Sequence, residues 1–573
     1  MNRPAFARVV PFLALLLYCG LAFYQLNLPG FYYDEALDLP PTVQLAHGQP
    51  AALMPKDPGV TFLGTTFPLM ILDYLGAVNT YLLWPLFSAA GSNWLTVRWF
   101  EVIVGAVVVA LSYRLARAWF GMPVALLAAF LVAVNPSFIF WTRMGISVTS
   151  VMSLCGLGSL LAIRRWTRQG SGHWLGLTGW LLGLGLWAKF LFLWWIAALA
   201  LVYALLEWRR WRPTRERLAR GEILGLEWKA WGWGALGFAA GAGPLIYYNL
   251  LTGNTLDLLM RALNAPTEYG VNNQQILDNL KAALDQFRIF LDGSYFWYNG
   301  EIQSNPWANS IFWASLLTVG ALMWRWRGEV RRRAVAVVLL IAAIVVQSAF
   351  TVSGIWATHL YILVPFLQIV VALAAVGMFS LSTASRETGA ARSDFGGPFT
   401  AVRPESRPGK LIRGTLRILS ALLVAAIFLG DLAPTWRYHA TLARFGGLGH
   451  FSDAIYQLAD YLDRNQIAAP AALDWGLEKN LLVLTDGRVQ PVEIFGYSAE
   501  VPPDFKDMVT AFLCEGCVFI NVDQNYAVFP RDEAFRQIAA EAGYVIVASE
   551  VFRERSGQAT YVVHRVRPTK TTP

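Results

Sequence analysis

The sequence predicts a polytopic α-helical membrane protein of about eleven transmembrane helices with a small C-terminal extracytoplasmic α/β domain. Three observations predict it. Only 15% of the 573 residues are charged, against roughly 25% in an ordinary soluble domain. The apolar residues gather in runs of about the 17 to 25 residues that a bilayer-spanning helix needs. Lys and Arg fall on alternate sides of those runs, as they do when cytoplasmic loops are basic. The same composition excludes a disordered chain, a collagen-like repeat and a disulfide scaffold. The net charge of +8 does not indicate nucleic acid, because in a membrane protein the placement of charge outweighs its sum.

The apolar runs lie near residues 9–28, 96–119, 122–141, 145–163, 174–188, 190–207, 230–250, 309–324, 334–353, 359–380 and 415–433. With the N-terminus inside, the inner segments carry 26 Lys and Arg, whereas the outer loops before residue 434 carry seven. The expected protein is therefore multi-pass in the cell (plasma) membrane, with a cytoplasmic N-terminus and an outer C-terminal segment. Arg3 and Arg8 precede the first run like a signal-peptide n-region, but no small-x-small site follows it. Tyr18 before Cys19 also spoils a lipoprotein-type site, so an uncleaved anchor is expected.

This organisation divides the chain into a membrane module over 1–433, with outer loops at about 29–95 and 251–308, and an extracytoplasmic α/β domain over 434–573. In the second loop Ile276, Leu280, Ala283, Phe287 and Phe290 recur at helical spacing. They predict an amphipathic helix on the membrane surface, although a buried globular helix shows the same period. Segment 381–414, with Ser, Gly, Pro and scattered Arg, reads as a flexible cytoplasmic linker. Beyond 434, helical periods at Phe451–Arg464 and Asp532–Ala542 alternate with strand-like runs at Ala471–Trp475, Val489–Phe495, Cys517–Val522, Tyr544–Phe552 and Thr560–Val566.

The chemistry starts at Asp34 and Glu35, adjacent carboxylates at the outer mouth of the first span. A carboxylate near a bilayer is costly to desolvate and is usually kept for a reason. Partial burial would raise its pKa toward the range useful to a general base. A solvated helix cap is the alternative, since acidic residues favour first turns. Pro40 and Pro41 disfavour a helix that begins at Asp34. The helix is expected to start near Asp38, with Asp34 and Glu35 in the turn before it.

Four stretches carry a resemblance to a known family. Tyr33-Asp34-Glu35-Ala36, followed by a short helix ending at Gly48, looks like an acidic first-loop motif. Tyr74-Leu75-Gly76-Ala77 runs into Thr80-Tyr81 and Trp84-Pro85 like a juxtamembrane stretch. Arg98 through Gly121, then Ala128–Pro136 and Arg143, form a span, a short turn and a span ending in Asn-Pro. Gly183-Leu184-Gly185-Leu186-Trp187-Ala188-Lys189-Phe190 is a glycine-rich segment ending in Lys. With His359-Leu360-Tyr361 and Pro365, the chain over about 9–380 resembles the GT-C superfamily of integral-membrane glycosyltransferases. The similarity is to the branch holding protein O-mannosyltransferases and the lipid A aminoarabinose transferase.

The resemblance implies transfer of a sugar, with inversion, from a polyprenyl-phosphate-linked donor to an extracytoplasmic hydroxyl on a glycan, lipid or protein. The family's base maps onto Asp34, with Glu35 beside it as positioning residue or alternate base. A departing lipid phosphate needs cations at the same depth. Lys189, Arg143 and His359 are the candidates, Lys189 foremost because it lies within a matching motif. Snorkelling explains Arg143 and Lys189 equally simply, and packing explains His359. Many relatives carry a second acidic residue after the span-three Pro; Arg143-Met144-Gly145-Ile146-Ser147-Val148-Thr149 contains none. Asp38, Asp57 and Asp73 are the available substitutes. No metal or other cofactor is expected to be obligatory, a divalent ion being the alternative.

Outer aromatics such as Tyr32, Tyr33, Tyr295, Trp297 and Tyr298 are placed to stack on a sugar or line a lipid groove. The sequence holds no Gly-rich phosphate loop, Ser-His-Asp set or zinc-spaced Cys/His cluster, so a nucleotide-sugar donor is not supported. Membrane lipids are expected partners and nucleic acid is not. A lipid-linked-sugar transporter or flippase and a non-catalytic scaffold are the rival classes, yet transporters concentrate ionisable groups at mid-membrane. Finally, Cys514 and Cys517 are expected to form a local structural disulfide outside the membrane, free thiols being the alternative. Cys19 and Cys155 lie within spans and read as apolar fillers.

Overall fold

The computed structural model describes residues 3–54, 57–146, 149–208, 222–223, 226–267, 270–383 and 410–569. Each of the eleven apolar runs is largely helical, and two of them are sharply bent. On length and composition, Trp94–Phe120, Phe190–Glu207 and Leu411–Phe445 are able to cross a membrane. The number becomes five if two bent pairs each count as one span. Met122–Val134 meets Pro136–Met144 at 59°, and Ala357–Leu363 meets Phe366–Ser382 at 53°. Pro136 and Pro365 explain both breaks: proline lacks the N–H that would continue the helical ladder. The remaining runs fall short of the eleven-span expectation by length or by charge, as where Arg164, Arg165 and Arg168 end the Thr149–Gln169 helix.

The helices bury one continuous apolar core running from Tyr18 and Leu21 through Val132, Trp195 and Val337 to Leu442. Apolar helices packed in this way make the chain an integral membrane protein. The second outer loop departs from the surface-helix expectation. Its helix Ile276–Asp292 does leave Ile276 and Leu277 exposed, yet Ala283, Phe287, Phe290 and Leu291 are buried in the bundle. Phe287 packs on Phe312 and Trp313. Three of the five expected apolar positions, Ala283, Phe287 and Phe290, are therefore core rather than membrane contact.

The last long helix, Lys410–Phe445, carries Pro434 inside it and runs well past the expected boundary at 434. The buried Tyr438 anchors this extension, its hydroxyl placed to donate to the carbonyl of Gly293 or of Gln303. The linker expected at 381–414 lies largely outside the described residues. From Ala454 onward a mixed five-stranded sheet forms, ordered Tyr544–Arg553, Ala559–Pro568, Val518–Val522, Ala471–Ala472, Val492–Glu493. Its outer hairpin is antiparallel and its two shortest strands are parallel additions. Helices Ala454–Arg464 and Asp532–Glu541 cover it, joined by Glu478–Leu484 and Phe505–Ala511, two helices of seven residues each that the periodicity did not indicate. Cys514 and Cys517 are bridged in the loop before the central strand.

This α/β unit does not stand apart from the membrane module. Gly30 N donates to Phe451 O at 2.7 Å, and Tyr456 and Asn480 side chains donate to the carbonyls of Asn27 and Phe31. A Cβ on Gly30 would lie 2.1 Å from Ser452 O, so only glycine permits this approach. The first loop is thus sandwiched between bundle and sheet.

Candidate active site

The connector after the first helix is held by two buried arginines. Arg98 donates through Nη1 to the carbonyls of Leu26 and Pro29, and through Nη2 to that of Gly30. Arg143 donates through Nη2 to the carbonyls of Gln25 and Leu28, while its Nη1 lies 3.3 Å from His439 Nδ1. Each guanidinium turns a fan of donors on main-chain oxygens that would otherwise be buried unpaired. Arg143 is thereby engaged in holding the connector, and three of its contacts are with protein rather than with an open donor site.

Beyond the connector, Tyr33–Ala36 forms a single helical turn and a second helix, Pro40–Ala46, follows. Asp34 and Glu35 therefore sit within a helical turn instead of before one. The second helix starts at Pro40, not Asp38, because proline is tolerated at the first helical positions where its missing N–H is not needed. Glu35 meets Arg98 in a two-pronged ion pair, both N···O distances being 2.8 Å, and its Oε1 also accepts from Tyr32 N. Both side chains are essentially inaccessible, at 0% and 1%. A carboxylate held in this way is a structural anchor.

Asp34 points elsewhere. Burial pushes its carboxyl up to about 6, while the Lys189 ammonium beside it and a hydrogen bond from the Tyr32 side chain pull the other way. Asp38 meets the same ammonium: burial pushes it up to about 7, and its Oδ2 is buried with no hydrogen-bond partner. Lys189 sees both carboxyls, but burial outweighs them and lowers its ammonium to about 8. His359 lies near Lys189, its Nδ1 accepting from Trp356 N at 3.0 Å. Tyr295, stacked at a tilt on Trp141 at 4.7 Å, lies near enough to Asp34 to feel its charge. The structure brings together Asp34, Asp38, Lys189, His359, Tyr32 and Tyr295.

Two of the sequence motifs meet to deliver Lys189. Leu75 pairs with Lys189 in an antiparallel bridge, and Phe190 N donates to Tyr74 O at 2.9 Å. Gly76 lies against Trp187, where an added Cβ would come within 2.0 Å of the Trp187 carbonyl. The glycine-rich segment ends its helix at Ala188, and this bridge fixes the extended residue that follows.

Other candidates lie outside this cluster. Tyr33 reaches into the α/β unit, its hydroxyl 3.4 Å from Glu493 Oε1 and its ring 4.6 Å from Trp475. Trp297 is half-exposed and edges onto Phe451. Asp57 accepts from the backbone of Gly59, Leu69 and Met70, and Asp73 accepts from Tyr248, so both serve their loops. Among the acidic substitutes only Asp38 faces the site. Among the described residues no group of three His, Cys, Asp or Glu side chains is placed to hold a metal ion.

Sequence reasoning passed over Arg98 as an anchor, Asn79 beside Asp38, and Glu101. The Glu101 carboxyl is buried with neither oxygen paired by geometry, its Cγ where a Cβ on Gly145 would come within 2.4 Å. Its signal was legible: a carboxylate inside an apolar run is costly.

Comparison with known proteins bears on the fold. The family model described as dolichyl-phosphate-mannose-protein mannosyltransferase matches residues 77–233. The solved structure of ArnT from Cupriavidus metallidurans bound to undecaprenyl phosphate is similar over 98% of both chains, with TM-score 0.54 and 12% identity. The oligosaccharyltransferase of Archaeoglobus fulgidus is similar over 96% of this chain and 70% of its own, with TM-score 0.51 and 12% identity. The chain has the GT-C fold. A further structure of the archaeal enzyme, AglB, in complex with an inhibitory peptide and a dolichol-phosphate, has TM-score 0.50 and 13% identity over 90% of this chain and 69% of its own. Curated protein sequences give no match. Within the GT-C fold, the segment matched by the family model includes Arg98, Arg143 and Lys189.

Proposed function

We propose that this protein is an inverting glycosyltransferase that moves a sugar from a polyprenyl-phosphate donor to an extracytoplasmic acceptor hydroxyl. The observation that carries the reading is the half-buried, perturbed Asp34 facing Lys189 beside the first span. A pKa of about 6 leaves Asp34 ionised at neutral pH yet basic enough to accept a proton, the range suited to a general base.

In this reading Asp34 takes the acceptor's hydroxyl proton as that oxygen attacks the anomeric carbon. The bond from that carbon to the lipid phosphate oxygen breaks with its electron pair on the phosphate. Lys189 offsets the developing charge as a compact cation, and His359 offers Nε2 at the same depth. Asp38 shares Lys189 with Asp34 as a positioning carboxyl, Tyr295 and Tyr32 wall the site, and Glu35 holds the turn through Arg98. The mannosyltransferase family match and the lipid phosphates in the similar structures support a polyprenyl-phosphate donor. The basic-residue count supports a multi-pass chain with its N-terminus cytoplasmic and the active site outside.

Purified protein in vesicles, given radiolabelled polyprenyl-phosphate sugar and an envelope extract as acceptor, tests the proposal. Label moving into the acceptor with release of polyprenyl phosphate is expected. Movement of intact lipid between leaflets without transfer would make the protein a flippase, and neither event would make it a scaffold.

A further inference from the structure

Across the bundle from Asp34, helices Trp94–Phe120, Thr149–Gln169 and His173–Ala188 leave a groove of about 1040 Å³ between them. Arg117 on its wall is nineteen residues along the same helix from Arg98, about 28 Å at the helical rise. The groove is therefore distinct from the site described above. One wall carries Arg114 and Arg117, the other Arg164, Arg165 and Arg168, and no carboxylate among the described residues lines it. Among the described residues, none of these five arginines pairs with an acidic side chain.

Ordinary snorkelling would carry each guanidinium into water. Arg164 does not follow that pattern, because its Nη1 is buried without a hydrogen-bond partner. An unpaired buried donor of this kind is costly unless something absent from the chain accepts from it. The arginines are also steadied toward the groove, Arg165 lying 5.3 Å over the Trp174 ring and Arg117 5.9 Å over Tyr113. Between the two basic walls the lining is aliphatic, from Leu111, Leu161, Leu177 and Leu181.

We propose that this groove binds a membrane phospholipid carrying two phosphodiester groups joined through glycerol, of the cardiolipin type. The guanidinium fork matches phosphate oxygens in pairs, and basic pockets between membrane helices suit such head groups. Two separate arginine sets on facing walls fit two phosphates better than one. One phosphate sits on Arg114 and Arg117, the other on the turn bearing Arg164, Arg165 and Arg168. The leucine floor takes acyl chain, which inorganic phosphate lacks.

Native mass spectrometry of the purified full-length protein with tetraacyl cardiolipin, phosphatidylglycerol, phosphatidylcholine, polyprenyl monophosphate and inorganic phosphate tests the site. Cardiolipin should be retained roughly tenfold more tightly than the other four, and losing two charge-assisted contacts in Arg117→Gln, Arg164→Gln should erase that margin. Arg168→Gln, at an exposed position, gives the same reading with less risk to folding, and Arg444→Gln elsewhere should change nothing. Cardiolipin held no better than phosphatidylcholine would overturn the proposal. So would wild-type retention in both groove variants, or displacement of cardiolipin by equal polyprenyl monophosphate or phosphate.

Discussion

Burial alone drives the carboxyls of Asp34 and Glu35 toward their neutral forms, so the cation each one meets decides its role. Glu35 meets Arg98 in a closed two-pronged pair, and Asp34 meets the Lys189 ammonium instead. Removing one partner of a buried pair typically costs about 3–5 kcal/mol. Glu35→Ala should therefore lower the thermal midpoint markedly, whereas Asp34→Asn should leave it near wild type; calorimetry of both decides. The pH profile follows from the same groups. A general base works ionised, so kcat/KM should fall as pH drops through about 6, the value for Asp34. Lys189 works protonated, so it should also fall as pH rises through about 8. The result is a bell with those limbs, and Lys189→Met should weaken donor binding and remove the alkaline limb. The sequence showed an acidic pair at the interface without separating its members. The separating partner, Arg98, lies 63 residues from Glu35, and no local pattern reports it.

At the scale of elements, the site depends on two short backbone contacts more than on any long helix. The Tyr74–Gly76 segment docks on the Trp187–Phe190 segment through one bridge, and Gly76 permits the approach. Gly76→Ala would set a methyl within 2.0 Å of a carbonyl oxygen, and overpacking of backbone usually costs about 1–3 kcal/mol. Transfer should drop by more than that stability loss explains, because Lys189 moves with the strand; donor affinity measured beside the melting curve checks this. Apolar run length identified the helical segments well, since periodicity and length are local properties. The bends at Pro136 and Pro365 come from the prolines themselves, whereas the extension of the last helix to Phe445 follows from packing instead. The expected strand Ala471–Trp475 shrinks to Ala471–Ala472, which pairs over two residues with each neighbour.

For the whole molecule, the α/β unit and the first loop form one roof over Asp34, through Gly30 to Phe451 and Tyr33 to Trp475. A separate outer domain was the expectation; side-chain and main-chain contacts across 400 residues of sequence were not visible in it. The roof requires both parts on the same side of the membrane. A reporter fused to the C-terminus should therefore be active only outside the cytoplasm, and cytoplasmic activity would reverse the orientation. The central claim, that Asp34 is the base of a lipid-linked glycosyl transfer, has a direct test. Vesicles containing Asp34→Asn at wild-type level and wild-type thermal midpoint are given radiolabelled polyprenyl-phosphate sugar, and transfer is timed. Transfer should fall by roughly 10²–10⁴-fold, the usual contribution of a positioned base, with donor binding retained. Turnover at the wild-type rate in that variant would contradict the claim.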